Sequence, residues 1–378
     1  MEEMLRLPIV IYRGGTSKGI FIRENELPAD PALRDRVICA VFGSPDKRQI
    51  DGLGGADPLT SKVAIIGPPS RPDAHIDYLF GQVDILARRV KYGGVCGNIS
   101  SAVGPYAIDE GFVRGEEPFT KVRIHCTSKG RILESQVPVY KGKAKVQGDY
   151  AIDGVPGTSA RIVLDWANLV GANTGALLPT GNPQDKLEVP GLGSFTVSFV
   201  DVGNAGVFLR AEDLGLNGAE RLEDLDANIE FIKKCERIAE AAGKRIGGSV
   251  HLTYVSSPRS YRNYVTGKEV QPNEVDFLAR MIFMGKMHKA YAASQIACCG
   301  AAAKIPETVV NEAASFPAND PEKVRIGHPA GIASLEAAVK PESGKISFSR
   351  ILVGRTARRL MEGYAYVKRE ILEGNLPS

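Results

Sequence analysis

Short runs of β-branched and aromatic residues alternate along the chain with glycine-containing turns, at 9–12, 19–22, 63–66, 83–90, 121–125, 144–146, 162–164, 195–201 and 250–255. Runs of this length between turn formers predict strands. Helical spacing of apolar positions is rarer; it predicts helices at 31–42, 99–110, 222–242, 274–289 and near 295–304. The balance is that of an α+β protein with extensive sheet.

The pattern echoes itself at half the chain length. Gly19-Ile20-Phe21-Ile22-Arg23 followed by Leu27 resembles Gly206-Val207-Phe208-Leu209-Arg210 followed by Leu214, an offset of 187 in 378 residues. Each copy precedes a cysteine-glycine step leading into an alanine-rich stretch, Cys96-Gly97 in one half and Cys299-Gly300 in the other. A duplicated domain is the expectation, with both steps at a shared cleft. Residues 1–184 would form the first domain, completed by 355–378, and 185–354 the second, with 185–191 (DKLEVPG) as the crossover. The segment 355–366 is expected to return to the first domain as a helix or a strand.

Composition narrows the class without naming a chemistry. With 43% hydrophobic and 24% charged residues, the chain has the makeup of an ordinary soluble globular protein long enough for two cores. A net charge of +3 from 47 basic and 44 acidic residues is too small and dispersed to imply nucleic acid or membrane as partner. Six cysteines without paired spacing, no apparent leader and no apolar run near ~20 residues suggest a reducing cytoplasm. Cys298 and Cys299 are expected as two buried small hydrophobes rather than a disulfide. The five scattered histidines show no zinc spacing, so no metal is expected.

Candidate chemistry gathers in three glycine-rich turns: 14–19 (GGTSKG), 52–62 (GLGGADPLTSK) and 93–98 (GGVCGN). Glycines let main-chain N–H groups approach an anion, and the hydroxyls, amines and thiol beside them grip carboxylates or move protons. Cys96, before Gly97-Asn98 and a helix, stands where the helix dipole lowers a thiol's pKa and holds a carboxylate; a buried structural cysteine is the competing assignment. Lys62, after Thr60-Ser61 and ahead of a buried strand, becomes a base near neutrality if burial lowers its pKa, and is a surface lysine otherwise. Thr16-Ser17-Lys18 repeats the hydroxyl-hydroxyl-lysine order. Asn204 lies in the corresponding turn of the second half, where a left-handed turn residue and a ligand contact are both open. His328 reads as a hydrogen-bonded structural residue. Neither a P-loop, a GxGxxG fingerprint nor a GxSxG elbow is present, which disfavours nucleotide, dinucleotide and serine-hydrolase chemistry.

At these residues the chain resembles the diaminopimelate epimerase-like superfamily, through Cys96-Gly97-Asn98 and Asp201-Val202-Gly203-Asn204. It is more closely similar to the allylic isomerase branch, through Arg13 to Gly19, 48–67 (RQIDGLGGADPLTSKVAIIG), 153–158 (DGVPGT), 324–331 (VRIGHPAG) and 355–364 (RTARRLMEGY). The resemblance implies two pseudo-symmetric domains, each a sheet wrapped round a central helix, with the active site between them. It also implies a cofactor-independent 1,3-proton shift in a small unsaturated di- or tricarboxylic acid. Conversion of 3-methylitaconate to 2,3-dimethylmaleate is the foremost expectation; 2-methylaconitate cis-trans isomerisation and 4-oxalomesaconate tautomerisation are the alternatives. Lys62, Cys96 and Ser17 become the catalytic candidates, with Thr16, Thr60, Ser61, Gly97, Asn98 and Asn204 as substrate-binding candidates. The epimerases' second catalytic cysteine would fall at Cys298 or Cys299, where flanking glycine is reduced to Gly300. A two-thiol racemase and a non-catalytic tricarboxylate-binding accessory protein remain as rivals, and self-association is left open.

Overall fold

A computed structural model describes residues 3–317, 320–342 and 345–373. The chain divides into two compact units: residues up to Tyr150, Thr158–Ile162 and Arg355 onward form one, and Ala151–Gly157 with Val163–Gly354 form the other. The division falls earlier than position 184. The segment around 167–177 belongs with the second unit because the wholly buried Asp201 carboxylate accepts from the Asn173 and Thr174 main-chain N–H groups (both 2.8 Å), the Thr174 hydroxyl (2.9 Å) and the Asn173 carboxamide (2.6 Å). The Asp201 carboxylate of the DVGN motif is thus a structural staple.

In the first unit, strands β1 (Met4–Gly14) and β2 (Ser17–Arg23) form a hairpin in which Gly14 faces Ser17. Helix α1 (Pro31–Phe42) follows, capped by the Asp30 side chain on the Leu33 N–H (2.7 Å). Strand β3 (Lys62–Gly67) then runs parallel to β2 with Lys62 opposite Gly19, and β4 (Ile76–Val83) runs antiparallel to β3 with Gln82 opposite Lys62. Helix α2 (Gly97–Asp109) is buried from Gly97 to Ile108. Its sequence, NISSAVGPYAI, carries small or apolar residues on every side and no charge before Asp109, as a helix enclosed all round requires. The next strands, Phe119–Cys126 and Arg131–Tyr140, extend the sheet, and the segment 355–366 contributes to a strand, Ala357–Lys368, antiparallel to β1. Of the residues assigned to this domain from the sequence, 374–378 lie outside the described ones.

The second unit repeats the order of pairings. Gly193–Val202 and Asn204–Arg210 form the hairpin; His251–Ser256 lies parallel to the latter with His251 opposite Gly206, and Phe277–Phe283 lies antiparallel to that. The helix Ala293–Lys304 is buried from Ala293 to Ala303 and takes the place of α2. The echoed segments thus occupy the same strand of each repeat, Gly19 and Gly206 included.

Four expectations are corrected. The stretch 274–289 is not a helix: Phe277–Phe283 is a strand whose first six residues, Arg280 included, are buried, and a run buried on both faces lacks the periodicity that separates the two states. Most of 83–90 is a turn, since β4 ends at Val83 and the Asp84 carboxylate accepts from the Leu86 N–H (3.1 Å). The crossover 185–191 contains a strand, Asp185–Val189, antiparallel to Gly193–Val202. The helix at 222–242 is two, Leu222–Ala227 and Ile229–Ile246, because the Asn228 side chain caps the second at the Phe231 N–H (3.0 Å).

Within the loop before β3, Gly52 marks a crossing of main chains: a Cβ there would stand 2.1 Å from the Gly43 nitrogen and 2.2 Å from the Phe42 carbonyl carbon. Backbone cannot give way as a side chain can. Gly52→Ala is expected to lower stability by about 1–3 kcal/mol, read as a fall in the thermal unfolding midpoint; an unchanged midpoint would show that this crossing is loose.

Candidate active site

Lys62 opens β3 and is 4% exposed. Its amine donates to the Gln82 carboxamide oxygen at 2.7 Å and stands over the Phe80 ring at 5.3 Å from the centroid. Alternation along β4 puts Phe80 and Gln82 on the face that Lys62 occupies across the ladder. Burial pushes the amine's pKa below its ordinary 10.5, and the Cys96 sulfur and Asp57 carboxylate, near enough to act on its charge, partly oppose that shift. The amine and the thiol therefore belong to one electrostatic neighbourhood.

Cys96 is the N-cap of α2, its carbonyl accepting the first helical bond from the Ser100 N–H (2.8 Å) and a second from the Ser100 hydroxyl (2.9 Å). Its side chain makes no capping hydrogen bond, and it alone of the six cysteines is not buried. The N–H groups of the helix's first turn have no acceptor within the helix, so Gly97, Asn98 and Ile99 offer donors at this end. Tyr78, on the same face of β4 as Gln82, is buried; burial raises its hydroxyl's pKa, the Cys96 sulfur adds to the rise and the Ser100 hydroxyl opposes it.

The β1–β2 turn closes over the helix N-terminus. Asn98 donates through its carboxamide nitrogen to the Thr16 hydroxyl (2.9 Å) and, more distantly, to the Ser17 hydroxyl (3.5 Å). Gly15 sits at φ +51°, and a Cβ on it would be 2.1 Å from the Asn98 side-chain oxygen, so only glycine lets the turn come this close. Ser17 is 2% exposed. The hairpin is tied in turn to the preceding loop, the Lys18 N–H donating to the Leu59 carbonyl (3.0 Å).

Thr16, Ser17, Lys62, Cys96, Gly97 and Asn98 thus gather around one helix end. Ser61 and Thr60 do not join them. Ser61 is wholly buried and gives its hydroxyl to the Gln49 side-chain oxygen (2.8 Å), which also accepts from the Ala56 N–H (2.8 Å); Thr60 turns its hydroxyl to the Asp57 carbonyl (3.2 Å). Both shape the loop that delivers Lys62. Gln82, Gln49 and Tyr78 were not singled out from the sequence; the one available signal was a glutamine inside the apolar run of β4.

In the second unit the same ties recur with roles exchanged. Asn204 now lies on the turn and its carboxamide donates to the Ser294 hydroxyl (3.0 Å) near the start of Ala293–Lys304, while the Gln295 carboxamide donates to the Asn204 carbonyl (3.1 Å). The ladder place of Lys62 is taken by His251, and the N-cap place of Cys96 by Ala292. The sequence equated Cys299-Gly300 with Cys96-Gly97; this is corrected, because Cys298 and Cys299 lie in mid-helix, fully buried. Burial raises both thiols, Cys299 to about 12. They are packing residues, as is His328, 3% exposed, whose Nδ1 accepts from the Ala330 N–H (3.2 Å).

Comparison with known proteins places this architecture. A family model described as PrpF protein matches residues 4–368, so the chain belongs to the PrpF protein family. It is 46% identical to the 3-methylitaconate isomerase of Eubacterium barkeri, over 98% of this chain and 99% of that protein. It is 38% identical to the 4-oxalomesaconate tautomerase of Pseudomonas putida (98% of each chain) and 35% identical to the 2-methyl-aconitate isomerase of Shewanella oneidensis (96% and 97%). A crystal structure of a methylitaconate-delta-isomerase superposes with a TM-score of 0.81 at 45% identity, covering 100% of this chain and 99% of the other. A hydroxyproline epimerase superposes at 0.59 with 10% identity (97% and 93%), which speaks to fold alone. The chain is an isomerase with the α+β, diaminopimelate epimerase-like fold expected from its sequence. No helix among the described residues is long and apolar enough to cross a membrane.

The buried amine carries a stability signature. Because the folded chain binds its proton less readily than the unfolded chain, Lys62 costs stability at neutral pH, and that cost fades as pH rises from the lowered pKa towards 10.5. Lys62→Met is expected to be more stable than the parent at pH 7, with the advantage shrinking above the lowered pKa. Denaturant midpoints measured between pH 6 and about 10 test this; a variant less stable at every pH contradicts it.

Proposed function

We propose that the chain catalyses a cofactor-independent 1,3-proton shift in a small unsaturated carboxylic acid, with 3-methylitaconate as substrate and 2,3-dimethylmaleate as product. Lys62 is the principal acid and base. Cys96 is its partner or part of the anion-binding turn, and Ser17 assists. The observation that supports this best is a lysine amine buried against a neutral carboxamide and electrostatically coupled to a thiol at a helix N-terminus. An amine so placed gives up its proton more easily than one in water, as a base working near neutrality must.

Neutral Lys62 takes the proton from the carbon α to one carboxylate. The electron pair left behind forms the new double bond, the old one opens, and the terminal methylene carbon receives a proton and becomes a methyl group. Between the two transfers the charge lies on a dienolate. Donors aimed at its carboxylate oxygens stabilise it: the N–H groups that begin α2 and the hydroxyls of Thr16 and Ser17. One amine can serve both transfers if they take place on one face of the substrate.

Substrate choice follows the relatives, among which the methylitaconate enzyme shares 46% identity against 35–38% for those named for methylaconitate and oxalomesaconate. The two-thiol racemase loses ground because the second unit has alanine at the N-cap place of Cys96. A cytoplasmic location remains part of the proposal.

Lys62→Ala is expected to lower kcat/KM for 3-methylitaconate by about 10²–10⁴-fold, with Cys96→Ser also impaired, when conversion is followed by proton NMR on variants shown to be folded. Near-parental rates in both would sink the assignment. Binding without turnover of any of methylitaconate, methylaconitate, aconitate or oxalomesaconate would favour the accessory-protein alternative.

A further inference from the structure

Gln82 stands out among the buried polar groups because its geometry is determined by chemistry at every atom. Its carboxamide nitrogen donates to two main-chain carbonyls, those of Ser61 (2.9 Å) and Pro58 (3.1 Å). A carbonyl can only accept, so the nitrogen must face them and the oxygen must face Lys62; the amide cannot flip without losing three bonds. The residue is 5% exposed, and the loop it grips is the one that delivers Lys62 to β3.

A lysine that shuttles a proton needs a partner that suits both of its states. A carboxylate would favour the ammonium and hold the proton in place. An apolar wall would leave the amine to swing, at the cost of the geometry that proton transfer demands. A carboxamide oxygen accepts one N–H from either the ammonium or the neutral amine, leaving the neutral form's lone pair directed elsewhere. Its dipole favours the charged form far less than a full negative charge does.

We propose that Gln82 is the positioning residue for Lys62: anchored by its two donations to the loop, it holds the amine at one place through both protonation states while remaining neutral. This rests on Lys62 being the proton-transfer residue, and it adds that the neutrality of the amide at position 82, alongside burial and the nearby Cys96 sulfur and Asp57 carboxylate, helps set where the enzyme works on the pH scale.

The test uses the full chain carrying Gln82→Glu or Gln82→Met. Two quantities are measured: the Lys62 titration midpoint, by competitive amine labelling across pH read by mass spectrometry, and the pH profile of kcat/KM with 3-methylitaconate. In Gln82→Glu both the midpoint and the rising limb of the rate profile are expected to move up together, by about 1–3 pH units. In Gln82→Met the midpoint is expected to stay low while kcat falls by about 10-fold or more, with KM changing less. A Lys62 midpoint unmoved by the carboxylate, or parental kcat in Gln82→Met, overturns the role of Gln82. A midpoint that moves while the rate profile stays put leaves the Gln82 hold on Lys62 intact and instead removes Lys62 as the base. If Gln82→Glu fails to fold, Gln82→Met alone decides between a positioning role and none.

Discussion

An ionisable amine removed from water is the constraint around which the first unit is organised. The charged form of Lys62 is disfavoured by burial, which the Cys96 sulfur and the Asp57 carboxylate oppose only in part, and its bond at 2.7 Å is to an uncharged oxygen. A surface lysine would pair with a carboxylate, as Lys121 does with Glu134 at 2.9 Å, and keep its proton. Enclosing an amine in this way costs folding stability, and such a cost is usual where a group is kept ready for chemistry.

The surroundings follow from the need to bring a helix end to that amine. Helix α2 is enclosed by sheet and carries no charge on its buried turns, so its N-terminal donors and the Cys96 thiol are fixed in place by packing. The hairpin turn reaches them only because Gly15 has no side chain to strike Asn98. The Asn98 carboxamide then links helix and turn through the Thr16 hydroxyl. The second unit solves the same problem with the partners exchanged, asparagine on the turn and serine on the helix. The repeat keeps the tie, and the side chains at the proposed site differ: lysine and cysteine in one copy, histidine and alanine at the matching places in the other.

Much of this was legible in the residues, and the failures have physical causes. Glycine turns and β-branched runs marked the hairpins, and the half-length echo marked the repeat, because Gly19 and Gly206 hold the same ladder place in each. The strand Phe277–Phe283 was hidden because a run buried on both faces shows no alternation. The second cysteine step was misplaced because Cys299-Gly300 copies a local spelling but not a position: the N-cap lies seven residues earlier, at Ala292. Ser61 looked like its neighbours Thr60 and Lys62, yet its hydroxyl is given to the Gln49 side-chain oxygen within the loop. Gln82 could not be chosen from sequence, since its meaning lies in a ladder pairing with a residue 20 positions away.

The most direct test follows the proton itself. With 3-methylitaconate in heavy water, the parental enzyme is expected to wash deuterium into recovered substrate and product at the carbons between which the double bond moves, and Lys62→Ala, shown to be folded, is expected not to. Incorporation by Lys62→Ala as fast as by the parent would contradict the claim that this buried amine carries the proton.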